Sequence, residues 1–331
     1  MVPRYMGWGF LFLLLAGSAL VKAQTEREEP PPLPAYVPVE KKLAGEFTVV
    51  GSGVMTKLIR LLEGSYETIY PGMDLTMSAP SSAAVPNGLI EGAIQVGAMS
   101  RPMDQSEKQA FFEKYGYPIR EFRIARDALI VVVHGTNPLP GITLEQLDGI
   151  YSDLHLRGGQ PVQTWGDLGL SGAWAGEPVN AHGGGEGWGT TTTFEKLVCY
   201  GAATRSGVSV EDIENGIPQA VSKDEYAIGY TCLGTTQKDI KALPIAERSG
   251  DPFVAPTPEN LLDGSYPLER DLYLYVAPDK ENRIPIEIRE FLRFILSREG
   301  QAVVSDSGMI PLIAPQVKKE RAKLSPTPAK D

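Results

Sequence analysis

Histidine and cysteine are scarce in this chain, whose 331 residues hold three of the first and two of the second. His134, His155 and His182 show no metal-ligand spacing, and Cys199 and Cys232 stand too far apart to read as a zinc knuckle, so no metal site is expected. Enzyme signatures are missing too. There is no G-x-S-x-G elbow, no H-E-x-x-H and no G-x-x-x-x-G-K-S/T phosphate loop. A nucleophile such as Ser52 or Ser82 has no base that the sequence can name, so neither catalysis nor a cofactor is expected. Basic charge is also short. The formal net charge is −10, and it becomes −12 if Arg4 and Lys22 leave with an N-terminal signal. Such a surface excludes nucleic acid, whose binding draws on clustered Lys and Arg, but not one small anion held at a local site.

Beyond the N-terminus no stretch is long or apolar enough to span a bilayer, which takes roughly 20 apolar residues. Arg4, the run from Trp8 to Leu15, and then Val21, Lys22 and Ala23 follow the charged, apolar and small-residue order of a secretory signal. Cleavage near Ala23 leaves a chain starting at Gln24. Leu15, Ala16, Gly17 and Ser18 resemble a lipoprotein cleavage site, but Ser18 stands where the acylated Cys is required. The expectation is a soluble monomer, periplasmic or secreted. About 300 residues then remain, enough for two domains of roughly 150 each. Both cysteines lie in the exported part, where oxidation is permitted, and the expected state is one disulfide, with two buried thiols as the alternative.

Glu26 to Pro38 is acidic and Pro-rich, and Lys318 to Asp331 is charged with Pro326 and Pro328, so both ends read as tails. Between them short apolar runs alternate with amphipathic stretches, the βαβ signature of a parallel or mixed sheet. Strands are predicted at Phe47 to Val50, Leu75 to Ser78, Ile94 to Met99, Ala128 to His134, Ala227 to Thr231 and Asp271 to Val276. Helices are predicted from Leu58, over Ala83 to Glu91 with an early break at Pro86, and over Gln105 to Tyr115. Others are predicted near Thr191 to Tyr200, near Pro258 to Leu262, and as one long helix from Ile284 to Ser305. Thr143 and Gln146 form a capping box where the pattern restarts after Pro138.

Several segments together resemble the phosphate-binding proteins of bacterial ABC transporters, over most of the chain from Gly45 to Ile313. They are Gly51-Ser52-Gly53, Pro80-Ser81-Ser82, VGAMSRP at Val96 to Pro102 and Gly189-Thr190 ahead of Phe194. Scaffold pieces follow in order: NPLPGITLEQLDGIY from Asn137, TWGDLG from Thr164, AIGY from Ala227 and YPLERDLYLYV from Tyr266. The resemblance implies an α/β, two-lobed periplasmic-binding-protein (Venus-flytrap) fold with a mixed sheet in each lobe. The organisation implied is a signal over 1–23, a Pro-rich linker over 24–44, lobe one over 45–134 and lobe two over 135–266. A return to lobe one over 267–314 and a disordered tail over 315–331 complete it. The crossings fall near Val133 to Asn137 and Ser265 to Arg270, where hinges let the lobes close on ligand.

An oxyanion stripped of water needs many hydrogen-bond donors, and helix N-termini supply backbone N–H groups with the positive end of a dipole. Ser52, Gly53 and Val54, then Ser81 and Ser82, and Gly189, Thr190 and Thr191 open three helices that could converge on one cleft. Each alone also reads as a plain cap. Ser100 and Arg101 end a strand beside them, with Arg101 either a fork for the oxyanion or a partner of Asp104. The best-known family pattern has Asp where this chain has Ser100, Arg where it has His182 and Gly183 to Gly185, and Ser where it has Trp188. The implied function is capture of a small oxyanion, phosphate above all, for an ABC-transporter permease. The alternative is a clamp-fold interaction or sensor protein that no longer binds phosphate.

Overall fold

Along 44–51, buried Phe47 and Val49 alternate with exposed Glu46 and Thr48, the two-residue period of a strand with one face on a core. In the computed structural model, which describes residues 32–40, 42–211, 216–233 and 237–324, this is β1 (Ala44–Gly51). The expected signal and its cleavage point lie outside the described residues. The chain continues through α1 (Thr56–Ile69), β2 (Gly72–Ser78), α2 (Ala84–Glu91), β3 (Val96–Met99), α3 (Gln105–Tyr115) and β4 (Arg120–His134). There follow β5 (Ile142–Thr143), α4 (Leu144–Tyr151), β6 (Asn180–Gly184), α5 (Gly189–Val198), β7 (Ser209–Glu211) and α6 (Gly216–Val221). Next come β8 (Ala227–Cys232), β9 (Ile240–Ala242), β10 (Ile245–Ala246) and α7 (Pro258–Asp263). The last elements are β11 (Glu269–Val276), α8 (Ile286–Ile295), α9 (Arg298–Ser307) and α10 (Ala314–Ala322). No helix among the described residues is long and apolar enough to cross a membrane.

The fold is α/β. The main sheet runs β2-β1-β3-β11-β4-β8-β6-β7, with β9 pairing β4 off this path. Parallel pairs (β1 with β2 and β3, β6 with β7 and β8) and antiparallel pairs (β11 with β3 and β4, β4 with β8) make each half mixed. The halves join along β4, whose residues Arg120 to Ala128 pair with β11 and whose Leu129 to Val133 pair with β8. Phe122, Ile124 and Ala125 belong to one hydrophobic core, and Ala128, Leu129 and Val131 to the other. The chain thus changes core inside β4, near Asp127, ahead of the expected Val133 to Asn137. On β11 the change falls between Leu268 and Leu272.

Four local expectations are corrected. The span from Ile284 to Ser305 is two helices, because Ser297 caps a new one: its Oγ accepts from Gly300 N and donates to Phe294 O at 2.6 Å. Pro86 does not break α2, since it sits in the first turn, where a missing N–H leaves nothing unpaired. Residues 314–322 of the expected tail form α10, whose Val317 and Glu320 are buried. At the other end, Tyr36 N donates to Glu299 and its ring meets Phe294 edge-on, so 32–40 packs on α8 and α9.

The expected disulfide is absent: Cys199 and Cys232 are not bonded. Cys199 follows the last turn of the 10-residue α5, while Cys232 Sγ lies 3.7 Å from Thr190 Oγ1 in its first turn. Nine residues of helix rise about 13 Å, whereas bridged Cα atoms come within roughly 7 Å. Burial pushes the Cys199 thiol up to about 12. Thiol titration of the unreduced, denatured protein is therefore expected to count two groups, and maleimide on the native protein to leave Cys199 unmodified.

Candidate functional site

Each part of the site is the end of a strand turning into a helix. β1 stops at Gly51, whose φ is +153° and where a Cβ would lie 1.9 Å from Ala98 O. Only glycine permits that approach. Ser52 N then donates to Ala98 O at 2.9 Å, and a short 3-10 turn over Gly53–Met55 leads into α1. Ser82 precedes α2 and accepts from Ser100 N at 3.2 Å, just beyond the end of β3. The hydroxyls of these three serines meet: Ser100 Oγ is 3.1 Å from Ser52 Oγ and 3.4 Å from Ser82 Oγ. All three residues are buried.

The other half of the sheet contributes the start of α5. A Cβ on Gly189 would stand 2.2 Å from Ser100 Oγ and 2.7 Å from Ser82 Oγ, so its Cα packs directly on those hydroxyls. Thr193 Oγ1 bridges the same contact, donating toward Gly189 O at 2.6 Å and lying 3.3 Å from Ser100 O. Thr190 and Thr191 are buried beside it. The helix starts that the sequence proposed are therefore brought together. Hydroxyls both donate and accept, and N–H groups at helix starts donate, so the arrangement gathers uncharged hydrogen-bonding groups in one place.

Other expected residues stand differently. Val54 is buried in the first core, which leaves its N–H as what it can offer a ligand, while Gly53 and Ser81 are half-buried. The fork of Arg101 grips Glu107, Nη1 to Oε2 at 2.9 Å and Nη2 to Oε1 at 2.7 Å, with Asp104 at 4.0 Å. Burial alone pushes the Glu107 carboxyl up, but Arg101 and the Asp104 N–H outweigh it and hold it below the usual range. His182 Nδ1 is 2.9 Å from Glu211 Oε1 at the β6–β7 edge, away from the serines. Trp188 lies against its own loop, since a Cβ on Gly184 would come 2.9 Å from its Cε3. Glu186 is exposed.

The sequence reading passed over a buried ion pair beside the site. Arg270 Nε and Nη2 both donate to Asp127 Oδ2, at 2.9 and 2.7 Å, while Nη1 donates to Thr190 Oγ1 at 3.2 Å. The only signal was an acid, Asp127, just ahead of an apolar strand run. A cavity of about 160 Å³ between the halves is lined by Ser100, Arg101, Thr193, Lys196, Glu269 and Arg270 among others.

Residues 37–299 match the family model described as the PBP superfamily domain. The chain is 38% identical over 293 residues to the phosphate-binding protein PstS of Pseudomonas aeruginosa, covering 87% of this chain and 90% of that one. A solved structure of a putative phosphate ABC transporter substrate-binding protein from Clostridium perfringens, with bound phosphate, superposes with a TM-score of 0.67. It is 25% identical and covers 81% of this chain and all (100%) of its own. An ABC-type phosphate transport receptor from Vibrio cholerae shares the fold, at 22% identity and TM-score 0.64, covering 81% of this chain and 100% of that one.

Proposed function

Because the chain belongs to the phosphate-binding proteins of the PBP superfamily, we propose that it captures inorganic phosphate between its two lobes and delivers it to an ABC-transporter permease. It acts as a binding protein without turnover, exported behind a signal cleaved near Ala23. One observation carries the reading: Gly189, opening a helix of the second lobe, packs on the hydroxyls of Ser82 and Ser100 from the first. The ligand is held by N–H groups of Gly53, Val54, Gly189, Thr190 and Thr191, and by the hydroxyls of Ser52, Ser81, Ser82 and Ser100. Arg101 stands next to Ser100 but spends its fork on Glu107, so its part is to brace that turn.

Isothermal titration of the chain without its first 23 residues tests this, using phosphate and then sulfate. Phosphate is expected to bind, and Ser100→Ala to weaken it by about tenfold, one hydrogen bond to a charged group. Sulfate is expected to compete, because a serine can donate to an unprotonated oxygen where an Asp can only accept a proton. Heat from neither anion overturns the proposal and leaves the interaction or sensor reading in its place.

A further inference from the structure

We propose that Arg270 positions Thr190 as a donor to the ligand, an inference that rests on the site described above. Its side chain is 3% exposed, and it faces Asp127 directly across the β11–β4 ladder. Two of its nitrogens hold Asp127, Nη2 also reaches Cys232 Sγ at 3.2 Å, and Nη1 leans toward the first turn of α5.

A cation at that end of a helix is misplaced. The first turn carries partial positive charge, so a guanidinium 3.2 Å from the Thr190 hydroxyl sets like beside like. No acidic residue stands in the first turn of α5 to offset it. Asp127 neutralises the guanidinium from its other side, so an anion at the helix start meets the positive first turn and a paired, neutral Arg270. Among the described residues, no other charged side chain is hydrogen-bonded to Ser52, Ser82, Ser100, Thr190 or Thr191.

The hydrogen bond also sets a direction. Thr190 Oγ1 accepts from Arg270, so the hydroxyl's own proton is what it has left to give, and its other near neighbour is a thiol sulfur at 3.7 Å, a weak acceptor. A strong acceptor such as a phosphate oxygen takes that proton in preference. Arg270 therefore acts through Thr190, and is a positioning residue.

A double-mutant cycle on phosphate affinity tests the proposal, with Thr190→Val removing the hydroxyl and Arg270→Lys keeping the charge but not the fork. Each single change is expected to weaken binding by about tenfold, and the pair by little more than either alone, since both break one linkage. A third variant, Arg270→Gln with Asp127→Asn, removes the charges as a pair, so no lone ion is buried. It is expected to bind about tenfold more weakly, because the donor that holds Thr190 is gone. Wild-type affinity in this folded variant, or additive effects in the cycle, overturn the inference. Should the paired variant fail to fold, the cycle decides alone. If the wild-type protein binds neither phosphate nor sulfate, the site reading itself has failed; binding that is indifferent to Thr190 and Arg270 sinks only the role assigned here.

Discussion

Gly189→Ala is expected to lower phosphate affinity by about a hundredfold or more while leaving the protein folded. The new methyl would enter at 2.2 Å from Ser100 Oγ and 2.7 Å from Ser82 Oγ, so the start of α5 must back away from the serines. A retreat of an ångström or more stretches several charge-assisted hydrogen bonds beyond useful length, each worth about 1.5–3 kcal/mol. The fold itself has little reason to suffer. Gly189 lies in the first turn of a helix without a positive φ, where alanine is the better helix former. Titration alongside a thermal melt separates the two effects. Unchanged affinity would mean that the lobes do not need this contact to hold ligand.

Asp127→Ala is expected to be the most destabilising single change, at about 3–5 kcal/mol, because it strands the buried guanidinium of Arg270. For a chain of this size that corresponds to on the order of 10 °C in melting temperature. The loss should shrink when Arg270 is neutralised in the same chain, since the penalty belongs to the unpaired ion and not to the missing contact. Chemical denaturation of both variants measures it. If the single and paired variants are equally stable, the cost lies elsewhere.

The parts legible in the sequence were those written within a few residues. The helix predicted over Gln105 to Tyr115 forms with those bounds, with Asp104 at its start and Gly116, φ +75°, at its end. The box of Thr143 and Gln146 forms as read. The serine turns and Gly189 were found because a strand, a small-residue turn and a helix follow one another directly along the chain. What failed depends on distant partners. β4 was read only from Ala128, because Arg120, Arg123 and Arg126 look like a polar loop. Across the ladder Arg123 pairs with Asp271 at 3.1 Å and Arg126 with Glu269 at 2.9 Å, so the charged face is neutralised by β11. Arg270 escaped for the same reason, its partner Asp127 lying 143 positions earlier. The disulfide reading failed on helix length: sharing a lobe does not bring together two residues at opposite ends of α5.

β4 and β11 pass from one core to the other as a paired ladder, with a register shift between Leu272 and Tyr273. A door swings on a slack pin, but two bonded strands behave as a leaf spring. Rotation of one half against the other has to twist that ladder, and the twist concentrates at the irregular step, where strand pairing is already interrupted. A paired ladder resists twisting in either sense, so it opposes any rotation of one half against the other. The cross-strand pair of Arg123 with Asp271 ties the two strands together beside that step.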